Sequence, residues 1–295
     1  MKKFVALVLS SGGSKGLAHI GAINELEKQG FEITSVAGSS IGSFVGGLHA
    51  MGKLPEYTSW VKTLNKRAVW GLMDLTVSTN GLLKGEKVFK KMKTFIPDMH
   101  IKKMDIPFVA IATDILNEKD VIFDTGSFYE AVRASSAIPT IFTPIKYKDT
   151  ILVDGGVLNP VPIEHVKRTE DDILVVVNLY GEKNNIKKNE GETIDAKEKF
   201  SKPYKLHDLI KNISRVISSG DKQSMSYFSL LSATTSAMVH RLAKQNIEKH
   251  KPDIVINIPH DTSNSFDFYK ANELIKIGEE AANKAIVKYT NSNKK

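Results

Sequence analysis

A serine with glycine two residues away on either side, Gly38-Ser39-Ser40-Ile41-Gly42, follows an apolar run (Ile33, Val36, Ala37) and precedes the small, apolar stretch Ser43 to Met51. A strand that reverses abruptly into a helix strains the backbone at its tip, and the glycines on either side make room for that turn. The Ser40 hydroxyl would then stand over the positive end of a helix dipole, where an attacking oxygen is useful. Ser40 is therefore the candidate nucleophile. It needs a base within hydrogen-bond reach, and donors aimed at the oxyanion that forms when a carbonyl is attacked. The loop Ser11-Gly12-Gly13-Ser14-Lys15-Gly16 suits the second task. Gly12 and Gly13 let main-chain N–H groups approach a ligand closely, beside the start of a helix. The N–H of Ile41, just after the nucleophile, adds a donor.

The base is less obvious. Eight histidines are present. His19 and His49 fall inside helices, where they pack or cap; His207, His240 and His250 lie in charged helical stretches and read as solvated. His260, just past a strand, is the best placed of the eight, with His165 second, and no Gly/Pro loop presents either. Too few strands precede Ser40 for an α/β-hydrolase. Asp154 is the better candidate, because it ends an apolar strand and is followed by Gly155 and Gly156. A carboxylate acting alone needs a partly desolvated site to raise its basicity. An ordinary Asp-Gly turn accounts for the same residues without chemistry. The glycine-rich loop also admits a phosphate-cradle reading, the basis for a nucleotide-binding alternative. It misses the Walker spacing, since Gly16 follows Lys15, and it misses G-x-G-x-x-G. No H-E-x-x-H or other ligand cluster is present, so neither metal nor cofactor is expected.

These residues need strands and helices to position them. Residues 4–9 are continuously apolar, as in a strand buried on both faces of a parallel sheet. A helix from about 17 to 29 follows, with Leu17, Ile20, Ile23 and Leu26 on one face and Gly30 ending it. Further strands are expected at 33–37, 108–113, 121–123, 173–179 and 254–258, with a hairpin over 147–153. Helices are expected at 128–135, 206–218, 221–248 and 270–289. Residues 52–103 read as helical and then loop-like, with a helix whose apolar face is Val88, Met92 and Phe95. Lys84, Lys87, Lys90, Lys91 and Lys93 crowd the same segment, which suits either an anionic lipid surface or an ordinary solvated face. Residues 181–205 read as a mobile surface excursion. A lid from 70–95 or 181–225 is compatible with the pattern. With no repeat and no composition break, the chain reads as one domain.

Of the 295 residues, 41% are apolar, enough for a core and too many for wholesale disorder. The absence of cysteine excludes disulfides and thiolate metal sites and fits a reducing compartment. The start Met1-Lys2-Lys3 followed by six apolar residues imitates a signal peptide but stops at Ser10-Ser11-Gly12-Gly13 without a cleavage site. No stretch approaches the roughly 18 apolar residues of a membrane span. A cytoplasmic chain is expected, with peripheral contact to the inner membrane face admitted by its net charge of +8. Nucleic acid is not an expected partner, since no finger spacing, aromatic RNA motif or base-reading helix is present.

The motifs together are more specific than any one alone. The loop Ser11 to Gly16, Gly38-Ser39-Ser40-Ile41-Gly42, Arg133 to Pro139 and Asp154-Gly155-Gly156 occur in order, and the set resembles the patatin-like phospholipase family. Its G-G-G-x-[RK]-G pattern matches Gly12, Gly13, Lys15 and Gly16, with Ser11 in place of the first glycine. Its G-x-S-x-G matches Gly38, Ser40 and Gly42, and its D-G-[GA] matches Asp154, Gly155 and Gly156. The resemblance covers residues 5 to about 180, and 266–282 is similar to the family's closing segment. It implies a three-layer α/β/α sandwich with a mostly parallel sheet, a Ser40–Asp154 dyad without histidine, and an oxyanion hole near Gly12 and Gly13. It implies hydrolysis of lipid acyl esters. Lys15 is expected to anchor the loop or an anionic head group. The departure at Ser11 leaves a second reading, a degenerate lipid-binding or regulatory protein on the same scaffold.

Overall fold

The computed structural model describes residues 3–78, 81–83, 85–183 and 227–292. In chain order these form β1 (Lys3–Leu9), α1 (Leu17–Lys28), β2 (Phe31–Ser39), α2 (Ile41–Ala50), α3 (Leu54–Val61), α4 (Lys66–Leu72), β3 (Leu75–Ser78), β4 (Gly81–Leu83) and α5 (Glu86–Lys93). Then come β5 (Phe108–Asp114), β6 (Lys119–Phe123), α6 (Phe128–Ser135), β7 (Ile145–Tyr147), β8 (Thr150–Asp154), β9 (Ile173–Gly181), α7 (Tyr227–His250), β10 (Ile254–Pro259) and α8 (Ala271–Ser292). Residues up to 183 and from 239 onward make one compact unit. A second spans 184–238, of which only the first half of α7 is described. Most of the expected excursion over 181–205 and the expected helix over 206–218 lie outside the described residues.

The sheet runs β10-β9-β1-β2-β5-β8-β7, with β6 also on β5. From β10 to β5 every pairing is parallel, and the β8, β7 and β6 pairings are antiparallel. Because successive strand residues point to opposite faces, β1 feeds two cores. Val5, Leu7 and Leu9 pack with α1, α2 and α8, while Ala6 and Val8 pack with Val161, Ile163 and Ala243 on the other face. Burying each such aliphatic side chain is worth roughly 1.5–3 kcal/mol, which is why the apolar runs of β1, β5 and β9 are so easily read. The result is a mixed sheet, mostly parallel at its centre and flanked by helices.

Residues 52–103 are more regular than their sequence suggests. They hold three helices, α3, α4 and α5, and the β3–β4 ribbon. Asn65 caps α4 by accepting the Ala68 N–H at 2.9 Å. Asp74 caps α5, accepting the Gly85 and Glu86 N–H groups at 2.7 Å each. No described helix is long and apolar enough to cross a membrane.

Candidate active site

Strand register brings the two ends of the site together. Leu9, the last residue of β1, lies beside Gly38 of β2. Across β5, Ser39 pairs with Ile111 and Asp154 with Ala112, so the residues after β2 and at the end of β8 meet over one point of β5. Gly155 fits there because a Cβ would fall 2.1 Å from the Ile111 carbonyl oxygen.

Ser40 sits between β2 and α2 at φ 54°, ψ −125°, the strained tip that the G-x-S-x-G pattern requires. The elbow closes this tightly only with glycine on either side. A Cβ on Gly42 would lie 2.1 Å from the Leu9 carbonyl oxygen, and one on Gly38 would lie 2.4 Å from the backbone of Gly42 and Ser43. The Ser135 hydroxyl holds the turn, accepting the Ser40 N–H at 2.9 Å and donating to the Ile111 carbonyl at 2.5 Å. Ser43 Oγ donates to the Ser40 carbonyl at 2.6 Å.

The Ser40 hydroxyl donates to Asp154 Oδ2 at 2.5 Å, and Asp154 Oδ1 accepts the Gly156 N–H at 2.7 Å. Both residues are about 5% exposed or less. Burial pushes the Asp154 carboxyl up to about 6, with the two hydrogen bonds acting the other way. Among the described residues no histidine hydrogen-bonds either group.

The Ser11–Gly16 loop lies beside this pair. Gly13 takes φ +62° and packs against Ser265. Gly12 packs on Leu179, Gly16 on Ile41, and Gly156 on Ser11. The loop is tied by Ser11 N–H to the Pro160 carbonyl at 2.9 Å and by Ser14 N–H to the Ser265 carbonyl at 3.0 Å. Those ties do not use the N–H groups of Gly12 and Gly13, and the Ile41 N–H opens α2, where a helix has no internal acceptor for it. Ser11 shares a 2.6 Å hydrogen bond with the Tyr180 hydroxyl. Lys15 acts as an anchor, donating to the carbonyls of Leu179 at 3.1 Å and His260 at 3.2 Å, and burial lowers its ammonium to about 8.

The histidines divide differently from the sequence reading. His19 is buried as expected, 2.9 Å from the Ser10 carbonyl, and burial lowers it to about 4. His49 is lowered to about 4 for the same reason. His240 is not solvated: it is half-buried, its ring edge-on to Tyr180 at 5.0 Å and to His260 at 4.6 Å. His250 is also drawn in, with Nε2 3.6 Å from Glu164. Partners far away in sequence, Tyr180 and His260 for His240 and Glu164 for His250, account for both differences, and helical periodicity does not report them. His207 lies outside the described residues. His165 is held by Asp120 at 2.8 Å, which raises its imidazole pKa. Asp120, Glu164 and His165 offer ligand atoms within 4.8 Å of one another. Asp120 Oδ2 already accepts from Asn159 at 2.7 Å as well as facing His165, and none of the three lines the cavity beside Ser40.

Ser40, Gly13 and Ile41 open onto a cavity of about 180 Å³ whose other walls are almost wholly apolar, including Phe44, Trp60, Leu72, Phe89 and Phe266. Part of the expected lid segment, 70–95, supplies this wall through Leu72, Met73, Val88, Phe89 and Met92. Residues 184–225 lie outside the described residues. The sequence reading missed Ser135 and Tyr180 as supports. Ser135 fell within the Arg133 to Pro139 motif, which marked the segment but not the role.

Fold and site together define an α/β protein in which a serine on a strand-to-helix elbow is hydrogen-bonded to a buried carboxylate. The chain belongs to the patatin-like phospholipase family, whose sequence profile matches residues 7–167. It is 29% identical to an uncharacterized NTE family protein of Mycobacterium bovis over 96% of this chain and 91% of that one. It is 25% identical to lysophospholipase NTE1 of Meyerozyma guilliermondii, over 98% of this chain but 20% of that protein. Among solved structures, VipD from Legionella pneumophila aligns with a TM-score of 0.49 at 15% identity, covering 98% of this chain and 67% of that one.

Proposed function

We propose that the protein is a serine hydrolase of lipid acyl esters working through Ser40 and Asp154. The observation that carries the reading is the 2.5 Å hydrogen bond from the hydroxyl of Ser40, at the wall of an apolar cavity, to the buried Asp154 carboxylate. With the acyl chain in the cavity, Ser40 Oγ attacks the ester carbonyl carbon and its proton passes to Asp154. The oxyanion is held by the N–H groups of Gly12, Gly13 and Ile41. Asp154 then gives the proton to the departing alcohol oxygen, leaving an acyl-Ser40. Water attacks that ester, Asp154 takes its proton, and the fatty acid leaves as Ser40 regains its hydrogen. A carboxyl near 6 is ionised at neutral pH yet basic enough for this exchange.

Monoacyl phospholipids are the first substrates to test, a choice supported by the lysophospholipase relatives and limited by the fifth of their length that this chain spans. The degenerate-site alternative rested on Ser11. The positive φ of that loop falls on Gly13 rather than Ser11, and the Ser11 hydroxyl has a partner in Tyr180. The test is hydrolysis of lysophosphatidylcholine and p-nitrophenyl esters by the native chain, Ser40→Ala and Asp154→Asn. Ser40→Ala should abolish turnover and Asp154→Asn should lower it about 10²–10⁴-fold. Full retention in either would end the dyad reading.

A further inference from the structure

The surplus positive charge is unevenly placed. Residues 52–103 hold eleven Lys and Arg against four Asp and Glu, a surplus of seven, so nearly all of the net +8 sits in this one stretch. The same stretch walls the cavity over Ser40, with Val69 and Leu72 from α4 and Val88 and Phe89 from α5. Both helices turn cations outward: Lys66 and Arg67 on α4, and Lys87, Lys90, Lys91 and Lys93 on α5, are exposed. The Asp74 carboxylate holds the end of one beside the start of the other, since it follows α4 and accepts the first N–H groups of α5. Next to Val69 in the cavity wall, Trp70 is 62% exposed.

An exposed indole on the helix that carries Lys66 and Arg67, one residue from the wall of an apolar cavity, matches one kind of surface. Tryptophan settles at the headgroup level of a bilayer, where one part of the ring is wet and the other apolar. Lysines near an anionic leaflet each strengthen binding about fivefold. A single-stranded nucleic acid would pair with the cations and stack a base on Trp70, but it has no acyl chain to place in the apolar cavity that these helices wall.

We propose that the outer surface of α4 and α5 docks on an anionic lipid bilayer, with Trp70 in the headgroup layer and the lysines on the lipid phosphates, so that acyl chains pass from the bilayer into the cavity. The purpose assigned to docking rests on the acyl-hydrolase reading; docking itself does not.

The test separates the two by using the Ser40→Ala chain for binding. It is sedimented with vesicles of phosphatidylcholine alone and of phosphatidylcholine with phosphatidylglycerol, at low and high salt. Binding should need the anionic lipid and weaken with salt. Lys90→Ala with Lys91→Ala should weaken it roughly thirty-fold, and Trp70→Ala should weaken it further and remove the vesicle-induced blue shift in fluorescence. In the catalytically intact chain, the same lysine substitutions should lower turnover of lipid in anionic vesicles and spare turnover of the water-soluble p-nitrophenyl butyrate. Equal binding to neutral vesicles, no effect of these substitutions, or binding to RNA that anionic vesicles fail to displace would each overturn the docking proposal. If no chain hydrolyses any ester while the binding results hold, the acyl-hydrolase reading fails and the docking surface stands.

Discussion

Burying a carboxylate as a base should cost stability, and Asp154→Asn measures that cost. The Asp154 pKa rises from 3.8 to about 6 on folding. A carboxyl with a raised folded-state pKa holds its proton more tightly in the native chain, so its contribution to stability is present at low pH and is lost as pH rises through 6. At 1.36 kcal/mol per unit, the full span is about 3 kcal/mol, of which roughly half is lost between pH 5 and pH 8. Asparagine is nearly isosteric: its Oδ1 can accept the Gly156 N–H, and its Nδ2 can donate to Ser40 Oγ. It carries no titration, and the other ionisable groups are common to both chains. Urea unfolding of both chains at pH 5 and pH 8 isolates the effect as a change in their stability difference. The variant should gain about 1–2 kcal/mol on the native chain as pH rises across that interval, while losing most of its hydrolytic activity. Native kcat/KM should rise through about pH 6 as the base ionises. A pH-independent stability difference, or a native chain that gains on the variant at pH 8, would refute the argument that burial tunes this carboxyl.

Other substitutions probe the parts around the dyad. Ser135→Ala removes the acceptor of the Ser40 N–H and should cost about 1–3 kcal/mol in chemical denaturation. It should lower kcat more than it raises KM, because it loosens the elbow rather than the cavity. Gly42→Ala places a methyl where the Leu9 carbonyl lies 2.1 Å away. It should destabilise by about 3 kcal/mol or more, or yield insoluble chain, as read by soluble yield and thermal unfolding. Leu72→Ala enlarges the cavity wall and should shift the preferred acyl length in a p-nitrophenyl ester series with little change in the pH profile.

Some of this molecule was legible in the residues alone because single elements carry the signal. Continuous apolar runs mark β1, β5 and β9, since strands buried on both faces need no polar alternation. The elbow was legible because its glycines answer a local steric demand that no distant contact can relax. Residues 52–103 were harder to read. Their helices spend apolar side chains on a cavity as well as on the core, which blurs the periodicity that betrays α1. Ser135, Tyr180 and His240 owe their places to side chains far away in sequence. Only the strand register, with Ser39 on Ile111 and Asp154 on Ala112, brings such distant residues within touching distance.

The most direct measurement is the mass of a covalent adduct on the nucleophile. The native chain is incubated with an alkyl fluorophosphonate, digested and mapped by mass spectrometry, with Ser40→Ala alongside. A single phosphonyl adduct on Ser40, formed as turnover is lost and absent from Ser40→Ala, is the result the account predicts. Ester hydrolysis that persists without modification of Ser40, or that survives in Ser40→Ala, would contradict it.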